Sequence, residues 1–177
     1  SQERAIGQQF LKQVYSQAPL ISDPLLFDYT EHLIYRLSEY SQVANRSFNI
    51  LLIDDSSLNA FAAPGGIIGV NGGLFLHADN EGQFSSVLAH ELAHLSQRHF
   101  ARNVLKSKDS NLSSALVMVS SIAIALISNN PNAIAVGPAI MHPQNLSYSR
   151  GCENEADRVG VINLVHAGYT PTSLGEM

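Results

Sequence analysis

His90, Glu91 and His94 have the residue types and the spacing of a metal-binding group on one helix. Residues four apart in an α-helix lie only about 40° apart around the axis, so both imidazoles can reach one ion. Glu91 is rotated by about 100° from His90, too far to be a ligand itself but close enough to take a proton from a water molecule held there. This HExxH pattern is the sequence form of a zinc hydrolase site.

A third protein ligand is expected, because a hydrolytic zinc site commonly keeps only its fourth position for water. His99 does not fit, since the long metzincin motif places its third histidine one residue later, at Phe100. We therefore expect His99 to be a surface or packing histidine. Glu153 and Glu155 are better candidates. Glu153 shares a helix face with Asp157, whereas Glu155 points away.

Glu153 is the favoured candidate because metal-bound histidines usually donate their other N–H to a carboxylate, and Asp157 lies beside it. The alternative is that these acids only complement a helix N-terminus, where negative charge is favourable. The presence of an HExxH helix in the same chain favours the ligand interpretation.

The helix that carries the motif is predicted to begin at a capping box, with Asn80 as N-cap and Gln83 at the third helical position. Its core face and its histidine face are separate, as the positioning of a metal requires. The core face consists of Phe84, Leu88, Leu92 and Leu95. Beyond the motif, basic residues recur every four positions, which predicts a solvated stripe or, alternatively, a contact with anionic lipid. These residues are Arg98, Arg102 and Lys106.

Two amphipathic helices are predicted before the site, over residues 2–17 and from Pro24 to Leu37. A buried strand follows at 48–53. Two short strands, 59–63 and 67–70, flank a Pro-Gly-Gly turn and predict a hairpin. The alanine-rich first strand has two interpretations: an edge that pairs with an extended peptide, or a plain hairpin in a small sheet.

Residues 112–127 form the most apolar run, and a second apolar piece covers 133–141. A bilayer span needs about 20 residues, so this shorter run favours a core helix, with a hairpin dipping into a membrane as the alternative. The insertion lies between the two halves of the suspected site and is placed to cover or plug it. A last long helix is predicted from Tyr148 to Gly168, and a final one begins at Pro171.

The overall composition indicates one folded domain: 177 residues, of which 45% are hydrophobic and 14% charged. The formal net charge of -5 argues against a general nucleic-acid binder. The single cysteine, Cys152, excludes an intramolecular disulfide and a CxxC zinc site. No signal peptide is visible at Ser1, so we expect a mature or trimmed form.

Together these motifs resemble peptidase family M48, the gluzincin metalloproteases that include the HtpX, OMA-type and CAAX prenyl proteases. The similarity is closest to the periplasmic BepA-type branch and covers nearly the whole chain. It is carried by the HExxH helix, by Tyr148-Ser149-Arg150, by the acidic segment from Glu153 to Asp157, and by Asn59-Ala60-Phe61-Ala62 before a Gly-Gly turn.

The resemblance implies an α+β zincin (gluzincin) fold that is mostly helical, with a small three-stranded sheet and an HExxH active-site helix. It implies one zinc ion per chain, bound by His90, His94 and Glu153. Glu91 would be the general base, and Asp157 would orient His90. It also implies that a polypeptide substrate adds as a β-strand along Asn59, Ala60, Phe61 and Ala62.

The implied function is a zinc-dependent endopeptidase of the bacterial periplasm that acts on misfolded or unassembled envelope proteins. The alternative is a latent zinc-binding chaperone or binding module in envelope protein quality control. The apolar segment 112–141 is a candidate for peripheral membrane contact. We further expect a single metallopeptidase domain, 1–177, without a C-terminal tail or repeat domain. His142-Pro143 precedes the glutamate helix, so it does not match the family's His-Pro segment, and the oxyanion donor is left unassigned.

Overall fold

The computed structural model describes residues 2–106 and 148–174, so the predictions for 112–127, 133–141 and His142-Pro143 lie outside the described residues. The described residues are mostly helical, with one small sheet. The helices are α1 (Gln2–Gln17), α2 (Pro24–Ser38), α3 (Gly72–His77), α4 (Glu81–Ser96), α5 (His99–Lys106) and α6 (Arg150–His166), followed by a 3₁₀ turn at Pro171–Leu174. The strands are β1 (Asn49–Ile53), β2 (Ala60–Ala63) and β3 (Ile67–Asn71). The short α3 was not predicted, and the predicted final helix is the 3₁₀ turn.

The sheet has the order β1-β3-β2. β1 runs parallel to β3, whereas β2 and β3 form the predicted antiparallel hairpin, with Phe61 opposite Gly69. Gly69 leaves room for the Phe61 ring, because a β-carbon there would lie 2.1 Å from it. Among the described residues, no strand pairs with the outer side of β2, so β2 is an edge of the sheet.

Both faces of the sheet are covered by helices, which explains why β1 is apolar from Ile50 to Ile53 instead of alternating. Leu51 and Ile53 face α1, where they pack with Ile6, Phe10 and Val14. The alternate residues Ile50 and Leu52 belong to the cluster on the other face. That cluster is formed with residues of α2 and α4, among them Leu33, Leu37, Leu88 and Leu92. The helix that carries the HExxH motif is therefore held rigidly by the main core.

The predicted capping box starts α4. The side chain of Asn80 accepts a hydrogen bond from the Gln83 amide at 3.0 Å. In return the Gln83 side chain accepts from the amide of Asp79 at 2.8 Å, one residue earlier than in the standard box. One of the amides that a helix start leaves without a partner, that of Gln83, is thus satisfied, and the second bond fixes the residue before the N-cap.

The basic residues after the motif do not continue α4, although Arg98 and Arg102 are exposed, as the predicted solvated face requires. α4 ends at Ser96, and Arg98 adopts a left-handed backbone conformation with φ of 53°, so α5 runs in a new direction from His99. Arg98 binds Glu3 at 2.9 Å, and Arg102 belongs to a different ion pair on α6. The four-residue period therefore does not extend the face of the HExxH helix, because such a period requires an unbroken helix.

The last long helix, α6, lies where it was predicted. Ser149 is its N-cap. It ends in a Schellman arrangement, in which Gly168 has φ of 95° and the Tyr169 amide donates to the Leu164 carbonyl at 3.1 Å. α6 packs closely on α4 at Gly160, where an added β-carbon would lie 3.2 Å from the His90 backbone nitrogen. None of the helices within 2–106 and 148–174 is long and apolar enough to cross a membrane.

Candidate metal centre

The structure brings together three side chains that were predicted as metal ligands. His90 and His94 project from α4, and Glu153 projects from the first turn of α6. The His90 and His94 Nε2 atoms are 2.9 Å apart. Oε2 of Glu153 lies 3.4 Å from the first of these nitrogens and 3.7 Å from the second. The candidate ligand atoms of all three residues lie within 4.8 Å of one another.

These distances fit a small divalent cation. Tetrahedral zinc, with bonds of about 2.0–2.1 Å to nitrogen and oxygen, separates its ligand atoms by roughly 3.3 Å. Two of the three observed separations lie within half an ångström above that value, and the histidine pair lies slightly below it. Two imidazoles and one carboxylate are also a donor set that zinc accepts.

His90 contacts the carboxylate that was predicted to orient it. Its Nδ1 lies 2.9 Å from Oδ1 of Asp157, one helical turn beyond Glu153. With the proton on Nδ1, the lone pair of His90 is on Nε2, the atom that faces His94 and Glu153. Asp157 is about half exposed, whereas the His94 side chain is 3% exposed, so the two histidines have different surroundings.

His94 is held by two residues whose positions the sequence did not predict. The Tyr148 ring stacks on it, with centroids 4.4 Å apart and an angle of 21° between the planes. Its Nδ1 lies 2.9 Å from Nδ1 of His99. The expectation that His99 is no ligand agrees with this placement, but it is fully buried and thus not a surface residue. Its Nε2 lies 3.2 Å from Glu155, which also binds Arg102 at 2.7 Å.

The only sequence signal for His99 is its spacing of five residues from His94. On a straight helix that spacing predicts no contact between the two side chains. Five residues of an α-helix turn the side chain by about 140° relative to His94. The contact exists because the helix is interrupted at Arg98.

Glu91 lies beside the three candidate ligands and is partly buried. Burial is the main cause that raises its pKa to about 8, and the charge of Glu153 adds to it. The backbone amide of Ala62, in β2, donates a hydrogen bond to this carboxylate and opposes the shift. Glu91 is thus fixed between α4, the edge strand and Glu153.

Burial in this region disfavours the charged form of basic and acidic side chains alike. It lowers the pKa of His94 to about 3, and it raises the pKa of Glu153, which also accepts a hydrogen bond from the Tyr148 amide. Burial also lowers the pKa of His99 and raises the pKa of Tyr148. A neutral histidine offers a lone pair to a cation, and a cation stabilises the charged form of a nearby buried carboxylate. This combination favours the binding of a cation.

Of the four residues predicted to contact a substrate, only Ala62 lines the cleft next to the site. Phe61 is buried against Phe10, and Ala60 belongs to the main core. Asn59 accepts the Asn71 amide through its carbonyl at 3.0 Å. Because hydrogen-bonded pairs alternate along an antiparallel ladder, the odd-numbered residues of β2 bond to β3, and the backbone of Ala60 and Ala62 points outward.

A cleft of about 800 Å³ extends from the candidate site. Its walls come from the first half of α1, the segment 43–49, the β2–β3 turn and the start of α5. His94 and Tyr148 line its inner end, together with Ala62 and Ala63. The cleft therefore lies between one candidate ligand, His94, and the edge strand.

The chain is similar to known proteases over most of its length. Residues 24–177 match the model described as peptidase family M48. The chain is 34% identical over 178 residues to the beta-barrel assembly-enhancing protease of Escherichia coli (strain K12), an alignment covering 98% of this chain and 36% of that protein. The protein of the same name from Yersinia pestis is 33% identical over 175 residues, with the same coverage of 98% and 36%.

A more distant relative is the mitochondrial metalloendopeptidase OMA1 of Arabidopsis thaliana, 30% identical over 131 residues that cover 74% of this chain and 25% of that protein. The chain thus spans 36% of the length of the assembly-enhancing proteases that it matches. These matches confirm the family that the motifs indicated. With the family model aligned over residues 24–177, the chain belongs to peptidase family M48.

Proposed function

We propose that this chain is the catalytic domain of a zinc-dependent endopeptidase with a zincin (gluzincin) fold. The observation that carries the proposal is the convergence of His90, His94 and Glu153 within 4.8 Å, with Glu91 fixed beside them. A metal-binding triad with an adjacent carboxylate is the arrangement of a zinc site that hydrolyses amides. Membership of a metallopeptidase family supports the same conclusion.

In this proposal zinc is held by His90, His94 and Glu153. When bound, it would supply a lowered pKa for a water molecule and polarise the scissile carbonyl. Glu91 accepts the proton of the attacking water at its carboxylate and delivers it to the leaving amine. The Ala62 amide keeps that carboxylate in one orientation. Asp157 keeps the proton of His90 on Nδ1, the nitrogen that faces away from Glu153.

We propose β2 as the strand on which a polypeptide substrate aligns. The outward backbone of Ala60 and the outward carbonyl of Ala62 support this, because an extended peptide pairs with such an edge through main-chain hydrogen bonds. The Ala62 amide is not part of that edge, since it donates to Glu91. The adjoining cleft supports it as well, since Ala62, Ala63 and His94 line the same space. Asn59 and Phe61 would act through the backbone geometry of the strand and not through side-chain contacts.

We infer that the substrates are misfolded or unassembled proteins of the bacterial envelope and that the protein acts in the periplasm. The support is the similarity to proteins named beta-barrel assembly-enhancing proteases. An edge strand that binds main-chain atoms also suits substrates that are unfolded, because only an extended segment can add to it.

Cleavage of casein, an unfolded protein, with and without a chelator tests the proposal. We expect chelation to stop cleavage and added zinc to restore it. Glu91→Gln should lower kcat on the order of 100-fold to 10,000-fold, the contribution of a general base, with bound zinc unchanged. Asn154→Ala, an exposed change on α6, is the control. Full cleavage by the Gln variant would refute Glu91 as the base, and zinc-dependent binding without cleavage would indicate a binding module.

A further inference from the structure

Nδ1 of His94 needs a hydrogen-bond acceptor, and within residues 2–106 and 148–174 no carboxylate is seen to accept from it directly. Its Nε2 faces His90 and Glu153, so for that atom to offer a lone pair the proton must be on Nδ1. The side chain is 3% exposed, so this nitrogen is shielded from bulk water. The acceptor within reach is Nδ1 of His99, 2.9 Å away.

The direction of each further hydrogen bond then follows. If His99 accepts at Nδ1, its own proton is on Nε2, which lies 3.2 Å from Oε2 of Glu155. That oxygen is an acceptor, and it also accepts from Nη1 of Arg102 at 2.7 Å. His94 thus donates to His99, His99 donates to Glu155, and Arg102 supplies the charge that keeps Glu155 ionised. Accordingly the pKa of Glu155 is lowered, chiefly by its hydrogen bond from Arg102.

We propose that His99, held by Glu155 and Arg102, is a positioning residue that fixes the tautomer and the ring orientation of His94. The proposal rests on the proposed function, because it assigns His94 Nε2 to the metal. Asp157 would fix His90 in the same way, by direct contact with its Nδ1. A partly exposed carboxylate, that of Asp157, would therefore orient His90. A buried imidazole, that of His99, which is itself hydrogen-bonded to the Glu155 carboxylate, would orient His94.

The local fold supports this role. Tyr148 stacks on the His94 ring, and the His99 ring stands at 75° to it, so the ring is restrained on one face and at one edge. His99 is 0% exposed, so its contact with His94 is shielded from bulk solvent. The break at Arg98 turns the chain so that a residue five positions after His94 returns to it. A positive φ on a residue other than glycine is uncommon, and such strained positions occur where the surrounding structure requires them.

The experiment measures zinc affinity by competition with a chelator, and the visible absorption of the cobalt(II)-loaded chain, for the wild type and a graded series of variants. His99→Phe keeps the volume and burial but removes the acceptor. His99→Asn returns an oxygen near the position of Nδ1. Glu155→Gln keeps an acceptor for His99 but removes the charge. His166→Phe, an exposed histidine on α6, is the matched control.

We expect His99→Phe to weaken zinc binding roughly 10-fold to 100-fold, the usual effect of removing a group that supports a ligand. The cobalt(II) bands should shift, and kcat should fall while KM stays the same. His99→Asn should recover most of the loss, Glu155→Gln should show a smaller loss than His99→Phe, and His166→Phe should show none. A role in packing alone would change thermal stability but not follow this order.

Equal zinc affinity and equal cobalt(II) spectra for the wild type and His99→Phe would overturn the inference and leave the proposed function standing. If His99→Phe does not fold, the partly exposed Glu155 carries the test, and unchanged zinc affinity in Glu155→Gln and Glu155→Ala would overturn the inference. A wild-type chain that binds no zinc would refute the proposed function and this inference with it.

Discussion

The acidic residues at the start of α6 have three distinct positions, although they lie within five consecutive residues. Glu153 faces both histidines of α4, Asp157 binds the far nitrogen of His90, and Glu155 lies on the opposite side against His99 and Arg102. The helical repeat explains this division, since positions four apart share a face and the residue midway between them does not. One short acidic segment can thus serve the metal and both histidines.

At this scale, Glu153→Ala should weaken zinc binding far more than Glu155→Ala does. The first change removes a direct ligand, which we expect to cost more than 100-fold in affinity, whereas the second acts through His99 and should cost at most about 100-fold. Chelator competition on the two purified variants measures both values, with Asn154→Ala as the control on the same helix. The reverse ranking would make Glu155 the ligand and refute the site as described.

The candidate site was predictable from sequence where regular helices determine it. His90, His94, Glu153 and Asp157 have four-residue spacings that only an intact helix turns into a shared face, and α4 and α6 are intact over these residues. His99 was not predictable, because its contact with His94 depends on the backbone of Arg98, and no residue type in that segment indicates a positive φ. Neither was the stacking of Tyr148, which depends on how α6 is placed against α4.

At the scale of elements, the break between α4 and α5 gives the site its inner wall. Arg98 accepts a left-handed conformation that costs an L-residue about 1–2 kcal/mol. Its ion pair with Glu3 is largely exposed and contributes at most about 1 kcal/mol. The strain is therefore maintained by the packing of the fully buried His99 that follows it, and not by the arginine side chain.

Replacing Arg98 by glycine should give a more stable protein than replacing it by alanine. Both variants lose the ion pair, so the difference isolates the backbone, and glycine should be favoured by about 1 kcal/mol. Urea denaturation of the zinc-free protein measures the free energies of unfolding. Arg158, an exposed residue inside α6, is the matched control, where alanine should exceed glycine by about 1 kcal/mol. The same order at both positions would contradict a strained backbone at Arg98.

The elements of the fold were predictable where the periodicity of apolar residues, or a turn or cap residue, indicates them. The hairpin, the capping box and both amphipathic helices appeared where the patterns placed them, because each has a local signal in turn or cap residues. The parallel pairing of β1 with β3 has no such local signal, since it joins strands that are distant in sequence. The short α3 follows Asn71-Gly72-Gly73, a segment whose glycines indicated a turn.

For the whole molecule, the decisive contact is the one between α4 and α6, because the candidate ligands are divided between them. The helices approach closely at Gly160, where an added β-carbon would lie 3.2–3.3 Å from backbone atoms of Ala89 and His90. Neither neighbour can move without moving the metal-binding helix itself. A change in the separation of the two helices would therefore change the geometry of the site.

Gly160→Val should accordingly weaken both folding and zinc binding. We expect a loss of roughly 1–3 kcal/mol in the free energy of unfolding, as for other overpacked interfaces, and a lower zinc affinity because Glu153 is displaced from His90. Gly151→Val is the matched control, since a β-carbon there would meet only the Ser149 hydroxyl, at 3.8 Å. Urea denaturation and chelator competition give the two values. If both variants behave alike, the close approach of the helices does not determine the site.

Because a bound ion would join α4 to α6, zinc should stabilise the whole folded chain and not only the site. Binding to the native state adds about 4 kcal/mol when free zinc is 1,000 times its dissociation constant, less any affinity of the unfolded chain. Chelation should therefore lower the Tm measured by calorimetry, and added zinc should restore it. In Glu153→Ala the same additions should move the Tm much less, since α6 then offers no ligand to the ion. An equal response in both proteins would place the stabilising zinc outside the His90, His94 and Glu153 group.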